Sequence, residues 1–101
     1  MTIKNRTTVK HGMLPDLKDY LVRSGWTIER SVGAYEVLRA RRPGYPRPLL
    51  VHDRSVGGCG YSIDERDLKV YRGWKRNRAN RGLDPDWPTE EERKAYWNEV
   101  Y

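Results

Sequence analysis

Hydrophobic and polar positions alternate most regularly between Gly25 and Arg42. Trp26, Ile28 and Val32 share one parity and Thr27, Glu29 and Ser31 the other, the period of two of a half-buried strand. Gly33 stands where a type II turn over Ser31 to Ala34 needs positive φ, so a hairpin is expected. The strand returns through Tyr35, Val37, Leu38 and Ala40 with mixed parity, which implies a bulge or two covered faces.

The pattern changes period on either side. Leu14, Leu17, Tyr20 and Leu21 form an apolar stripe at helical spacing, and Pro15 and Asp16 suit a helix start. A helix over Leu14–Ser24 is therefore expected, closed by Gly25 in the left-handed conformation. After the hairpin, three prolines between Arg42 and Leu49 mark a rigid loop. Leu49–His52 and Tyr61–Ile63 read as short strands, joined through the Gly57-Gly58-Cys59-Gly60 run. A second helix is expected from Asp64, with Leu68, Val70, Tyr71 and Trp74 on one side and Lys69, Arg72 and Arg76 on the other; Asn80 or Gly82 ends it. Gly73 weakens it by about 1 kcal/mol relative to Ala without breaking it. Residues 83–88 form a linker, and Thr89 with Glu92 makes a capping box that opens a last helix, with Glu90 placed to pair with Lys94. The first twelve residues are polar and basic and are expected to form a mobile arm, with a short edge strand as the alternative.

Composition narrows this picture. A chain of 101 residues suits one small domain, and with no Phe, four Trp and seven Tyr must supply much of the buried area. The single cysteine, Cys59, excludes an intramolecular disulfide and points to a reducing compartment, the cytoplasm. No apolar run is long enough for a membrane span or the core of a signal peptide. The net charge is +6, but residues 83–101 carry net −4, with six acids against two bases, and the rest carries +10. A basic body with an acidic end points to an anionic partner, to internal charge pairing, or to both.

The basic stretch from Lys69 to Arg81 carries the most specific chemistry. Lys69, Arg72, Lys75, Arg76, Arg78 and Arg81 follow one another without an acid, a spacing that can bridge successive phosphates. Tyr71 and Trp74 could stack on bases, but sharing a side with Leu68 and Val70 favours the core. Arg39, Arg41, Arg42 and Arg47 with Tyr45 form a second basic cluster, equally readable as a backbone clamp or as a charged, proline-protected sheet edge. The acidic last helix can lie across the basic helix and neutralise it, face a basic protein, or simply cap itself.

Candidate catalytic groups are sparse. His11, His52 and Cys59 are scattered and form no zinc pattern. Cys59 with His52 as nucleophile and base is conceivable, yet the glycine-rich loop offers nothing to lower the thiol pKa. That loop also lacks the Lys and Ser/Thr of a phosphate loop. Pro15-Asp16-Leu17-Lys18 has the form of a fragment of metal-dependent nuclease motifs, which no second carboxylate pattern completes.

The run Leu17–Arg54, with its helix, Gly25-Trp26 opening a strand and Gly33-Ala34-Tyr35 at the turn, resembles the small HicA toxin family. That resemblance implies a fold like a double-stranded-RNA-binding domain. The family's catalytic histidine falls at Tyr35, which cannot serve as the same acid or base, and residues 55–101 do not follow the family. The chain as a whole also looks like small proteins of prophages and integrative elements.

The expected fold is α+β: an N-terminal helix, a three- or four-stranded antiparallel sheet and two C-terminal helices. The expected organisation is a mobile arm over 1–12, an α+β domain over 13–82, and a linker with an acidic helix over 83–101. The expected function is non-enzymatic nucleic-acid binding, RNA or DNA, by a protein of a phage or mobile element, with phosphates held by Lys69, Arg72, Arg76, Lys75, Arg78, Arg41, Arg42 and Arg47. The alternative is a protein-binding inhibitor of a host nucleic-acid-handling enzyme, of the anti-CRISPR type. A HicA-like ribonuclease is third. No cofactor, metal or membrane partner is expected, and the oligomeric state is open.

Overall fold

Chain order sets the architecture: β1 (Thr8–Val9), α1 (Leu14–Arg23), β2 (Thr27–Glu29), β3 (Glu36–Arg41), β4 (Leu49–Asp53), β5 (Tyr61–Ile63), α2 (Leu68–Asn80) and α3 (Glu90–Val100), with a 3-10 turn at Glu65–Asp67 before α2. The computed structural model describes residues 8–33, 35–53 and 60–100. The fold is α+β, and the described residues form three helices and a five-stranded antiparallel sheet in the order β1-β5-β4-β3-β2. Strands β2 to β5 form a meander, and α1 carries the chain from one sheet edge to the other.

Pairing registers put Ile28, Ala40, Leu38, Leu49, Val51, Ile63 and Val9 on one face of the sheet. That face joins Leu17 and Leu21 of α1 and Tyr71 and Trp74 of α2 in a single apolar core. The opposite face carries Thr27, Glu29, Arg39, Arg41, Leu50 and His52. The mixed parity of β3 resolves as a register irregularity between Glu36 and Leu38.

Local signals set several boundaries. Trp26 N–H donates to Leu21 C=O at 2.9 Å and Gly25 N–H to Val22 C=O at 3.2 Å, while Gly25 has φ 97°: a Schellman close for α1. The same motif ends α2, with Leu83 N–H on Arg78 C=O at 2.9 Å, Gly82 N–H on Ala79 C=O at 3.0 Å, and Gly82 at φ 80°. The capping box of α3 is formed on both sides: Thr89 N–H donates to Glu92 Oε1 at 2.7 Å and Glu92 N–H to Thr89 Oγ1 at 3.0 Å.

Other expectations are corrected. Residues 8–12 are not an arm: Thr8 and Val9 pair with Ser62 and Tyr61, and Val9 and Met13 are buried. Their pairing supplies the fifth strand. The hairpin turn is displaced, because Glu36 reaches back to it: Val32 N–H donates to Glu36 Oε2 at 3.0 Å and Glu36 N–H to Gly33 C=O at 3.3 Å. Gly33 stays out of the left-handed region, and Val32, expected on the core parity, is 79% exposed. Helix α2 begins at Leu68 rather than Asp64, because Asp64 accepts from Arg66 N–H at 2.8 Å in a local turn. Residues 54–59, with Cys59, lie outside the described residues.

Candidate nucleic-acid interface

Helix α2 sorts its cations by angle. At about 100° per residue, Tyr71, Trp74 and Arg78 share one stripe, and Lys69, Arg72 and Arg76 share the opposite one. The first stripe packs inward: Trp74 and Arg78 are wholly buried and Tyr71 nearly so. Both rings are thus core residues, and their polar atoms are satisfied, Tyr71 Oη by Thr8 C=O at 2.9 Å and Trp74 Nε1 by Asp16 Oδ2 at 2.9 Å.

Arg78 corrects the sequence expectation. A guanidinium with no exposed surface cannot meet a phosphate. Its five N–H groups all find acceptors inside the protein. Nε donates to Asp84 C=O at 2.9 Å; Nη1 donates to Asp16 Oδ2 at 3.0 Å and Glu92 Oε2 at 2.9 Å; Nη2 donates to Trp87 C=O at 3.2 Å and Glu92 Oε1 at 3.0 Å. Its position seven residues after Tyr71 was the signal in the sequence: it lies on the core stripe. Asp16 also takes both Nη groups of Arg81, at 3.1 and 2.9 Å. Burial pushes the Asp16 carboxyl up, but hydrogen bonds from Arg81, Trp74 and Arg78 outweigh it and hold the group below its ordinary value. Burial works against the Arg78 charge, yet Glu92 and Asp16 together raise its pKa further. Asp16, which sequence form suggested as a fragment of a nuclease motif, is thus committed to a structural network.

Two more nominated cations are largely spent on the fold. Lys75 Nζ donates to Asp86 at 2.7 Å and lies 5.0 Å from the Tyr71 ring centroid, with 18% of its side chain exposed. Arg47 makes two bonds to Asp67, at 3.3 and 3.1 Å, which fasten the β3–β4 loop to the start of α2. Arg41 is half-exposed and bonded through Nε to Glu29 at 3.0 Å. Arg42 is exposed and lies 5.6 Å from the Tyr45 ring centroid.

Lys69, Arg72 and Arg76 remain. All are exposed, and among the described residues none of their side chains has a hydrogen bond, an ion pair or a ring contact. Seven residues at about 1.5 Å each separate the first from the last, so the stripe is about 10 Å long. That matches the axial rise of about three nucleotides of one strand at about 3.4 Å each.

Tyr35, at the position of the HicA histidine, is 72% exposed on the hairpin. His52 lies half-buried on β4. Among the described residues no three His, Cys, Asp or Glu side chains converge as metal ligands, and no helix is long and apolar enough to cross a membrane. Compared with known proteins, the chain matches no family model, no curated protein and no solved structure.

Proposed function

We propose that this chain is a non-enzymatic nucleic-acid-binding protein that takes phosphates on the outer stripe of α2. The carrying observation is selective: the fold matches Arg78, Arg81 and Lys75 with carboxylates, yet leaves Lys69, Arg72 and Arg76 exposed with no such partner among the described residues. Unpaired cations aligned on one face self-repel, and a polyanion relieves that repulsion while releasing counterions. Arg41, paired with Glu29, and Arg42 stand apart from that stripe at the other end of the β3–β4 loop. Cytoplasmic residence, among nucleic acids, and origin in a phage or mobile element belong to the same proposal; the likeness to prophage proteins and the HicA-like run support them.

The test is salt dependence of binding to labelled RNA and DNA, read by fluorescence anisotropy. With three phosphates neutralised by α2, affinity falls about 40-fold on a duplex and about 20-fold on a single strand between about 50 and 200 mM salt. Alanine at Lys69, Arg72 or Arg76 lowers the salt slope by about one each and weakens all sequences alike. Absence of binding at low salt, or an unchanged slope in the triple variant, removes the proposal.

A second reading rests on a different observation. Val32 and Tyr35 stand 79% and 72% exposed at one hairpin tip, apolar surface that suits a protein partner. An inhibitor of a nucleic-acid-handling enzyme, such as a CRISPR effector, would use that tip and lay the basic stripe in the enzyme's nucleic-acid path. It would co-purify with one protein after nuclease treatment and bind free nucleic acid weakly.

A further inference from the structure

The β3–β4 loop holds a cation and an aromatic ring in a fixed relation. Tyr45 N–H donates to Arg42 C=O at 3.1 Å, Pro43 occupies the second turn position, and Gly44 has φ 91° at the third. This is the pattern of a type II turn, which brings residues 42 and 45 side by side. The Tyr45 ring leans on Trp26, centroid to centroid 4.8 Å, and Trp26 is itself buried and anchored by the close of α1. Tyr45 is nevertheless 43% exposed. Around it lies an open groove of about 460 Å³, lined by Thr27, Glu29, Arg41, Arg42, Gly44 and Tyr45.

The electrostatics single out one group. Glu29 is held by Arg41 and lies 3.5 Å from Arg39, so its carboxylate is neutralised within the sheet. Among the described residues the Arg42 guanidinium has no hydrogen bond or ion pair and lies by the Tyr45 ring. A phosphate can bind Arg42 without breaking an ion pair, and a base can lie against the exposed part of Tyr45. The Arg47–Asp67 bonds bring this loop to the head of α2, two residues from Lys69.

We infer that the groove at Arg42 and Tyr45 receives one unpaired nucleotide of a bound strand, so that the protein prefers single-stranded nucleic acid. This rests on the phosphate-binding reading of α2 and adds a ligand class to it. A base inside a duplex is stacked on both faces and cannot reach the ring, whereas an unpaired base can.

The experiment compares a short fluorescein-labelled oligonucleotide of mixed sequence, alone and annealed to its complement as a blunt duplex. Tyr45→Leu keeps an apolar cover over Trp26 and removes the aromatic face; an unchanged thermal midpoint confirms that the fold survives. This variant is expected to weaken the single strand about tenfold or more and to leave the duplex unaltered. Lys69→Ala is expected to weaken both forms equally. An equal effect of Tyr45→Leu on both forms, or no effect on either, overturns the inference while leaving the α2 reading in place. If the unaltered protein binds neither form, the α2 reading fails, and the groove is judged by titrating a nucleoside monophosphate into isotope-labelled protein. Amide shifts at Thr27, Gly44 and Tyr45 that vanish in Tyr45→Leu sustain the groove; their absence overturns it.

Discussion

At the scale of the residue, Arg78 governs the outcome. A guanidinium in the interior is costly unless every donor is met, and here Asp16, Glu92 and two backbone carbonyls meet all five. Arg78→Met strands two carboxylates that are mostly covered and is expected to cost about 3–5 kcal/mol in urea unfolding at neutral pH. Arg78→Lys is expected to lose much of the same stability, because an ammonium has three donors and no planar fork. Asp16 makes the network sensitive to acid. Its pKa is lowered by folding, so the native state binds fewer protons than the unfolded chain. The stabilisation it gives is therefore complete above its ordinary value of 3.8 and is lost as pH falls through the lower folded value. Urea midpoints measured from neutral pH downward should drop below about pH 4, and Asp16→Asn should flatten that part of the curve.

At the scale of the element, the chain spelled out those helix boundaries that a few adjacent residues settle. Gly25, Gly82 and the Thr89–Glu92 box act within a single turn of helix, so a local pattern suffices to find them. The start of α2 is different. Asp67 was free to cap it but is bonded instead to Arg47, twenty residues away. Strand β1 is two residues long, and its definition comes from pairing with β5, which no local signal reports. Gly73 shows the same dependence. A β-carbon there would stand 2.6 Å from the Tyr20 hydroxyl. Gly73→Ala alone is therefore expected to lose the helix-propensity benefit or to destabilise. In a Tyr20→Phe background it should stabilise by about 1 kcal/mol. The double-mutant cycle in thermal or urea unfolding should show this non-additivity.

At the scale of the whole molecule, the acidic end and the basic body are joined through the interior. The segment read as a linker and separate helix supplies four of the five acceptors of Arg78, from Asp84, Trp87 and both oxygens of Glu92. Lys10 also lies 4.6 Å from the Trp87 ring centroid, and the His11 and Tyr96 rings stack at 5.3 Å. A chain ending at Leu83 is expected to melt well below the full chain, since it buries a guanidinium without its partners. Equal melting temperatures would restore the view of 83–101 as an appendage. Two readings of the acidic helix are therefore combined: Glu92 both caps α3 and neutralises part of the basic helix, while Glu90 and Glu91 face solvent.

The sequence by itself determined the α+β class, four of the strands, the helices, their stops, and the outward angle of Lys69, Arg72 and Arg76. These follow from periodicity and turn chemistry, which act over a few residues. Only the tertiary structure decided which of the remaining cations are available to a partner. Asp16 and Arg78 are 62 residues apart, and nothing between them records that they meet. Side-chain charge is a property of composition, but whether a charge faces water or a carboxylate depends on where distant segments come together in the core.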